Sequence, residues 1–217
     1  MRKRRKQSTK VEPPPEDWTP RTELGSLVMN RKITSMEDVI SNNLVIQEPE
    51  IVRLLIPDLE YEVLEVRLVQ KQTDAGEKSR FRATVAVGNR GGWVGIGVEK
   101  ARQVHKAIEK ALNTALLNVA PVRRGCGSWE CECEMNHSLK VTSTGKGGSV
   151  EVKILPGPRG LGIAASETAR TLIKLAGVED CWVISRGETR TVLSLAYATY
   201  NALKNTYKMI PKEVWIR

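Results

Sequence analysis

The chain has 217 residues, room for one or two small domains with real cores. No apolar run reaches the 18 residues that a membrane helix needs, and residues 1–20 contain no apolar signal segment, so a soluble intracellular chain is expected. The net charge is +9, and aromatic residues make up 5% with a single Phe. That balance points to an anionic partner and argues against a single-strand binder built on stacked bases.

The charge is unevenly spread. Residues 1–10 carry +6, residues 11–59 carry −5, residues 60–124 carry +5 and residues 125–217 carry +3. Residues 1–10 (MRKRRKQSTK) predict a disordered basic arm, too charged and too poor in apolar residues to pack. Residues 11–59 read as an acidic extension. It has a polyproline stretch at Glu12–Glu16, a helix capped at Ser35, and a short helix from Glu50 to Ile56 ended by Pro57. This extension is expected to lie against a protein neighbour or the solvent rather than to form a domain.

A first domain is predicted over residues 60–124. Tyr61, Val63 and Val66–Val69 begin a strand, and Thr73-Asp74-Ala75-Gly76 turn it back. Phe81, Ala83, Val85 and Val87 alternate with Arg80, Arg82 and Thr84, the period of a half-buried strand. Gly88-Asn89-Arg90-Gly91-Gly92 is a turn cluster, and Trp93–Gly97 a short strand whose glycines let another backbone come close. A helix of about five turns is expected from Glu99 to Asn118, giving the order β-β-β-α. Two nucleotide motifs fail here. Gly145-Lys146 is followed by Gly147 instead of Ser or Thr, and Gly95-Ile96-Gly97 reaches Lys100 where a dinucleotide loop needs glycine.

Residues 125–138 form a cysteine loop, with Cys126, Cys131, Cys133 and His137 spaced C-x4-C-x-C-x3-H. Three thiols and one imidazole make a tetrahedral zinc set by number and type. A disulfide and free thiols stay open for the same residues, and no cofactor is required by any other motif. Over residues 139–217 a glycine-rich hairpin at Gly145–Gly148 precedes a helix capped by Ser166 and stopped by Gly177, a strand at Cys181–Ser185, and a last helix from Thr191 to Asn205. Lys71, Lys78, Arg80 and Arg82 sit around the first hairpin and Arg90 tops the second, where long cationic side chains reach phosphates. The competing reading is a solvated strand edge, since lysines also guard edges. Trp93 and Trp129 are open to stacking or to burial. No catalytic constellation is present, and no enzyme is expected.

Six blocks carry a resemblance. They are WTPRTELG (18–25), QKQTDAGEKSRFR (70–82), VGNRGGWVGIG (87–97), PVRRGCGSWEC (121–131), ILPGPRGLGI (154–163) and RGETRT (186–191). In these the chain resembles the universal fifth protein of the small ribosomal subunit, in its archaeal form. The resemblance implies an α+β fold: a β-β-β-α domain like a double-stranded-RNA-binding domain, then a β-α-β-α domain with a left-handed crossover. It implies a cytoplasmic protein of the small subunit that binds small-subunit rRNA where the messenger enters and near the decoding region, and that bears on translational accuracy. The partners implied are that rRNA, the fourth and eighth small-subunit proteins, and messenger RNA at its point of entrance. No membrane is among them.

Under the same resemblance Lys71, Lys78, Arg80, Arg82, Arg90, Lys100, Arg102, Arg123, Arg124 and Lys146 contact RNA. Arg159, Gly160, Leu161 and Gly162 face a protein neighbour. The chain departs from the family pattern at Glu99 and Leu161. A free-standing double-stranded-RNA-binding module or RNA chaperone is the alternative function.

Overall fold

The computed structural model describes residues 9–13, 18–56, 58–131, 133 and 135–208. The expected disorder of residues 1–8, most of the polyproline stretch and the Pro57 stop lie outside them. Thr9 and Lys10, assigned by sequence to the disordered arm, instead form a short strand, β1 (Thr9–Lys10), antiparallel to Glu60 and Tyr61.

Three helices follow. α1 (Glu23–Met29), absent from the sequence prediction, starts at Thr22, whose hydroxyl accepts from the Gly25 amide. The Glu48 carboxylate accepts from the amides of Arg21 and Thr22 and ties this start down. α2 (Met36–Ser41) begins at the predicted cap, Ser35, which accepts from the Asp38 amide. α3 (Pro49–Leu55) opens on a proline, which has no amide to leave unpaired. Leu24, Val28, Ile33, Val39 and Ile51 make a small core of their own, whereas Met36, Val52, Ile56 and Leu59 join the core of the first domain. The acidic extension therefore packs through these residues on its own chain, a contact absent from the sequence expectation of a protein neighbour or the solvent. Its polar composition hid a few apolar residues that only a nearby sheet and helix bury.

In the first domain β2 (Glu60–Thr73), β3 (Gly76–Gly88) and β4 (Trp93–Ala101) precede α4 (Val104–Leu117) and β5 (Ala120–Pro121). The antiparallel sheet has the order β1-β2-β3-β4-β5. The helix predicted to start at Glu99 starts at Val104, because Lys100 and Ala101 still pair with Arg82 and Phe81 on the long β3. The glycines of β4 do let a backbone approach: a Cβ at Gly95 or Gly97 would overlap the carbonyl oxygens of Ala115 or Ala111 in α4. Alternation fails from Ala83 to Gly88, all buried. Ala83, Val85 and Val87 face α4, and Ala86 faces the second domain.

The second domain is entered through β6 (Arg124–Gly125) and β7 (Ser138–Leu139), a two-stranded ladder closing the cysteine loop. β8 (Ser143–Gly147), β9 (Val150–Pro156), β10 (Ile163–Ala164), α5 (Glu167–Leu175), β11 (Cys181–Arg186) and α6 (Val192–Lys208) complete it. Its sheet runs β10-β11-β9-β8, with β10 parallel to β11. The expected hairpin, helix, strand and helix appear as β8-β9, α5, β11 and α6, and the unpredicted β10, parallel to β11, gives the run β10-α5-β11-α6. Gly145 and Gly147, read as loop residues, lie in β8 and bring it onto α6, where a Cβ at Gly145 would overlap the Ala198 carbonyl oxygen. Ser166 occupies the cap position of α5, but its side chain makes no capping bond.

α5 and α6 pack against both sheets. Leu64, Ala86, Val94 and Ile96 of the first sheet share one core with Leu172, Ala198 and Leu203 of the helices and Val150, Val152 and Ile154 of the second. The result is a two-domain α+β chain in four layers: α4, first sheet, α5 with α6, second sheet.

Candidate nucleic-acid interface

β2 and β3 run past the core as a two-stranded projection, and their distal residues are largely exposed. The register places Lys71 opposite Lys78, and Arg82 between Arg67 and Lys100. Like charges directly opposite each other destabilise a sheet, so an anion would relieve this arrangement. Lys71, Lys78, Arg80 and Lys100 line one groove of about 300 Å³, and Arg80, Lys100, Arg102, Lys106 and Lys110 line an adjoining one of about 350 Å³. Among the described residues no carboxylate forms an ion pair with any of these seven cations. Six predicted contacts, Lys71, Lys78, Arg80, Arg82, Lys100 and Arg102, thus fall on one continuous cationic surface.

A second surface lies where the domains meet. A cleft of about 730 Å³ is lined by Arg90, Arg124, Arg159, Arg170 and Lys174, with Glu179 the one acid among the described residues of its wall. Here two predicted contacts are committed to the fold. Arg90 ion-pairs with Glu60 at 2.7 Å. Arg124 donates to the carbonyls of Arg90 and Gly91 in the first domain and Gly177 in the second, so its guanidinium bolts the junction. Arg123 is placed elsewhere, its guanidinium 5.6 Å from the Tyr207 ring. Lys146 stands apart on β8, opposite Glu151.

Sequence reasoning missed Lys106, Lys110, Arg170 and Lys174. The signal was present, because each pair is spaced i, i+4 on one helix. Like charges at that spacing cost a helix a few tenths of a kcal/mol, roughly, unless a partner neutralises them.

Trp93 is partly buried in the first core, whereas Trp129 is 90% exposed at the tip of the cysteine loop. The predicted protein-facing segment is a turn, closed by the Leu161 amide on the Pro158 carbonyl at 3.3 Å. Gly160 sits at φ +85°, the third position of a type II turn, with nothing near its missing Cβ. Arg159 and Gly160 are exposed, and Leu161 folds back over Gly157.

The four residues of the cysteine loop converge. One ligand atom from each of Cys126, Cys131, Cys133 and His137 lies within 4.8 Å of all the others. The Cys131 and Cys133 sulfurs are 3.1 Å apart, a contact and not a bond, and Cys131 Sγ is 3.9 Å from His137 Nε2. His137 Nδ1 meets the Asp180 carboxylate at 2.8 Å, and the other oxygen of that carboxylate accepts from the Gly162 amide at 2.7 Å. Hydrogen bonding from Cys133, and then from the Arg159 backbone, lowers the Cys131 thiol to about 6, while the same bond to Cys131 raises the Cys133 thiol. Burial opposes a charged His137, but its bonds to Cys126 and Asp180 outweigh burial and raise it. Burial likewise works against the Asp180 carboxylate, and the Gly162 amide with His137 holds it below its usual range. Cys181 is fully buried at the start of β11, its thiol pushed up to about 12 by burial.

Comparison with known proteins agrees with this architecture. Residues 59–123 match the family described as ribosomal protein S5, N-terminal domain, and residues 145–217 match ribosomal protein S5, C-terminal domain. A protein of Pyrobaculum arsenaticum named small ribosomal subunit protein uS5 is 55% identical over 190 residues, covering 88% of this chain and 94% of its own. The proteins of that name from Saccharolobus solfataricus and Ignicoccus hospitalis are 50% and 52% identical over 202 residues, covering 93% of this chain and 94% and 96% of theirs.

Proposed function

The chain belongs to the ribosomal protein S5 family, and on that premise we propose that it is a structural, rRNA-binding constituent of the small ribosomal subunit in the cytoplasm. One observation carries the reading: the seven cations around the β2–β3 projection, unpaired among the described residues and collected from three strands, the turn after β4 and a helix. Such a surface suits a phosphate backbone, which is contacted by position and charge rather than by base identity. We read the β2-β3-β4-α4 domain as a double-stranded-RNA-binding fold on the order of its elements and the single helix backing its sheet. We assign the chain no catalytic step.

The finer placement follows the same line. In this proposal the projection and the junction cleft hold rRNA where the messenger enters and near the decoding region, with the messenger passing close by. The exposed turn at Arg159–Gly162 meets the fourth small-subunit protein and thereby bears on accuracy. Trp182 and Ile184 stand 48% and 47% exposed on the open face of the second sheet, an apolar strip suited to a further protein such as the eighth.

The test is the salt dependence of binding to small-subunit rRNA. Replacing Arg80, Lys100 and Lys106 with Ala should weaken binding and reduce the log–log salt slope by about 1 for each phosphate that is no longer neutralised. An unchanged slope would leave these cations as solvated edge residues and sink the reading.

A further inference from the structure

We infer that Cys126, Cys131, Cys133 and His137 bind one zinc ion, and that this ion fastens the cysteine loop to the Pro158–Gly162 turn through Asp180. The donor set comes first. Three thiols and an imidazole are soft and borderline ligands of the kind that select zinc over calcium or magnesium. Zinc bonds of about 2.3 Å to sulfur and 2.0–2.1 Å to nitrogen set the corners of a tetrahedron roughly 3.5–3.8 Å apart. The cluster brackets that spacing, from 3.1 Å between two sulfurs to an outer limit of 4.8 Å. Small rotations of side chains close it on one ion.

The surroundings fit a ligand histidine. His137 turns Nε2 toward the thiols and Nδ1 toward Asp180, and both residues are buried, 6% and 4% exposed. Neutral imidazole with its proton on Nδ1 donates to the carboxylate and leaves the Nε2 lone pair for the metal, the arrangement that orients metal-bound histidines. All three cysteines bind as thiolates, any proton they still carry passing to solvent, so the filled site carries one net negative charge. It lies beside Arg124 and Arg159, which share a cleft wall with His137.

The anchoring is equally specific. The His137 carbonyl accepts from the amides of Glu179 and Asp180 at 2.9 and 3.1 Å. Ser138 donates to the Asp180 carbonyl and accepts from the Gly157 amide. Asp180 in turn holds the Gly162 amide. An ion that fixes His137 therefore fixes the base of the turn at Pro158–Gly162. A disulfide between Cys131 and Cys133 would leave Cys126 and His137 without a shared role. The zinc site does not depend on the rRNA reading.

Elemental analysis of the full chain, purified without chelator, tests it. About one zinc per chain is expected. Cys131→Ser and His137→Gln should abolish it, Asp180→Asn should weaken zinc affinity roughly 10–100-fold, and Cys181→Ala should leave stoichiometry unchanged. Should the ligand variants fail to fold, the wild-type chain loaded with cobalt is decisive, since thiolate-to-cobalt charge-transfer bands of a tetrahedral site are expected. Hydrogen exchange at the Gly162 amide should quicken when a chelator strips the zinc. Metal-free folded protein with three alkylatable loop thiols, or a Cys131–Cys133 disulfide by mass spectrometry, would overturn the site. Unchanged Gly162 exchange would overturn the tether.

Discussion

Arg124 shows how a cationic residue can serve the fold and not a ligand. Its planar fork reaches carbonyls on two domains at once, and lysine cannot reproduce that geometry. Arg124→Ala should cost about 2 kcal/mol of stability in the free protein, the scale of hydrogen bonds to a charged donor. Thermal unfolding should show Arg124→Lys recovering little of that stability, and full recovery would mean that charge alone matters there. Gly160 is the opposite case. Its missing Cβ has open space, so Gly160→Ala suffers only the strain of a positive φ, about 1 kcal/mol. That variant should assemble normally, and the proposed protein contact predicts altered near-cognate misreading in assembled subunits. Normal assembly with unchanged misreading would leave the glycine serving the turn alone.

At the level of elements, two strands use the same device. Gly95 and Gly97 seat β4 on α4, and Gly145 and Gly147 seat β8 on α6, with helix carbonyls in the space a side chain would fill. Gly97→Ala and Gly145→Ala should each cost about 3 kcal/mol or more, because the obstacle is backbone and cannot rotate away. Denaturant titration of both variants checks this, and a destabilisation under about 1 kcal/mol would show that the helices slide freely. The close approach at β4 was legible in its glycines, and so were the β2–β3 hairpin, the Ser35 cap and the Gly177 stop. The start of α4 was not. Ala101, Val104 and Ile108 keep helical spacing, yet cross-strand pairing of Ala101 with Phe81 overrides that local pattern. The two-sided burial of Ala83–Gly88 was hidden for a related reason, since its second face is covered by α5, which begins about 80 residues later in the chain. In the candidate interface, the projecting cations could be read from their hairpin. The commitment of Arg90 to Glu60 could not, because it depends on the register of the long hairpin, which brings the far end of β2 beside the turn after β3.

Across the whole molecule, α5 and α6 belong to both domains. Removing the second domain would expose Val94, Ala86 and Ile96, so residues 1–125 alone should not fold cooperatively, and the full chain should unfold in one transition. Two separated calorimetric transitions would contradict the shared core. A rigid body of this kind can hold two cationic surfaces at a fixed distance, one on the β2–β3 projection and one at the junction, as a scaffold of folded rRNA requires. The most direct test of that role is sedimentation of a native lysate through a sucrose gradient at increasing salt. Co-migration with the small-subunit peak that persists at high salt is the predicted result. A broad distribution across the gradient that salt disperses would contradict it and favour a free-standing RNA-binding module.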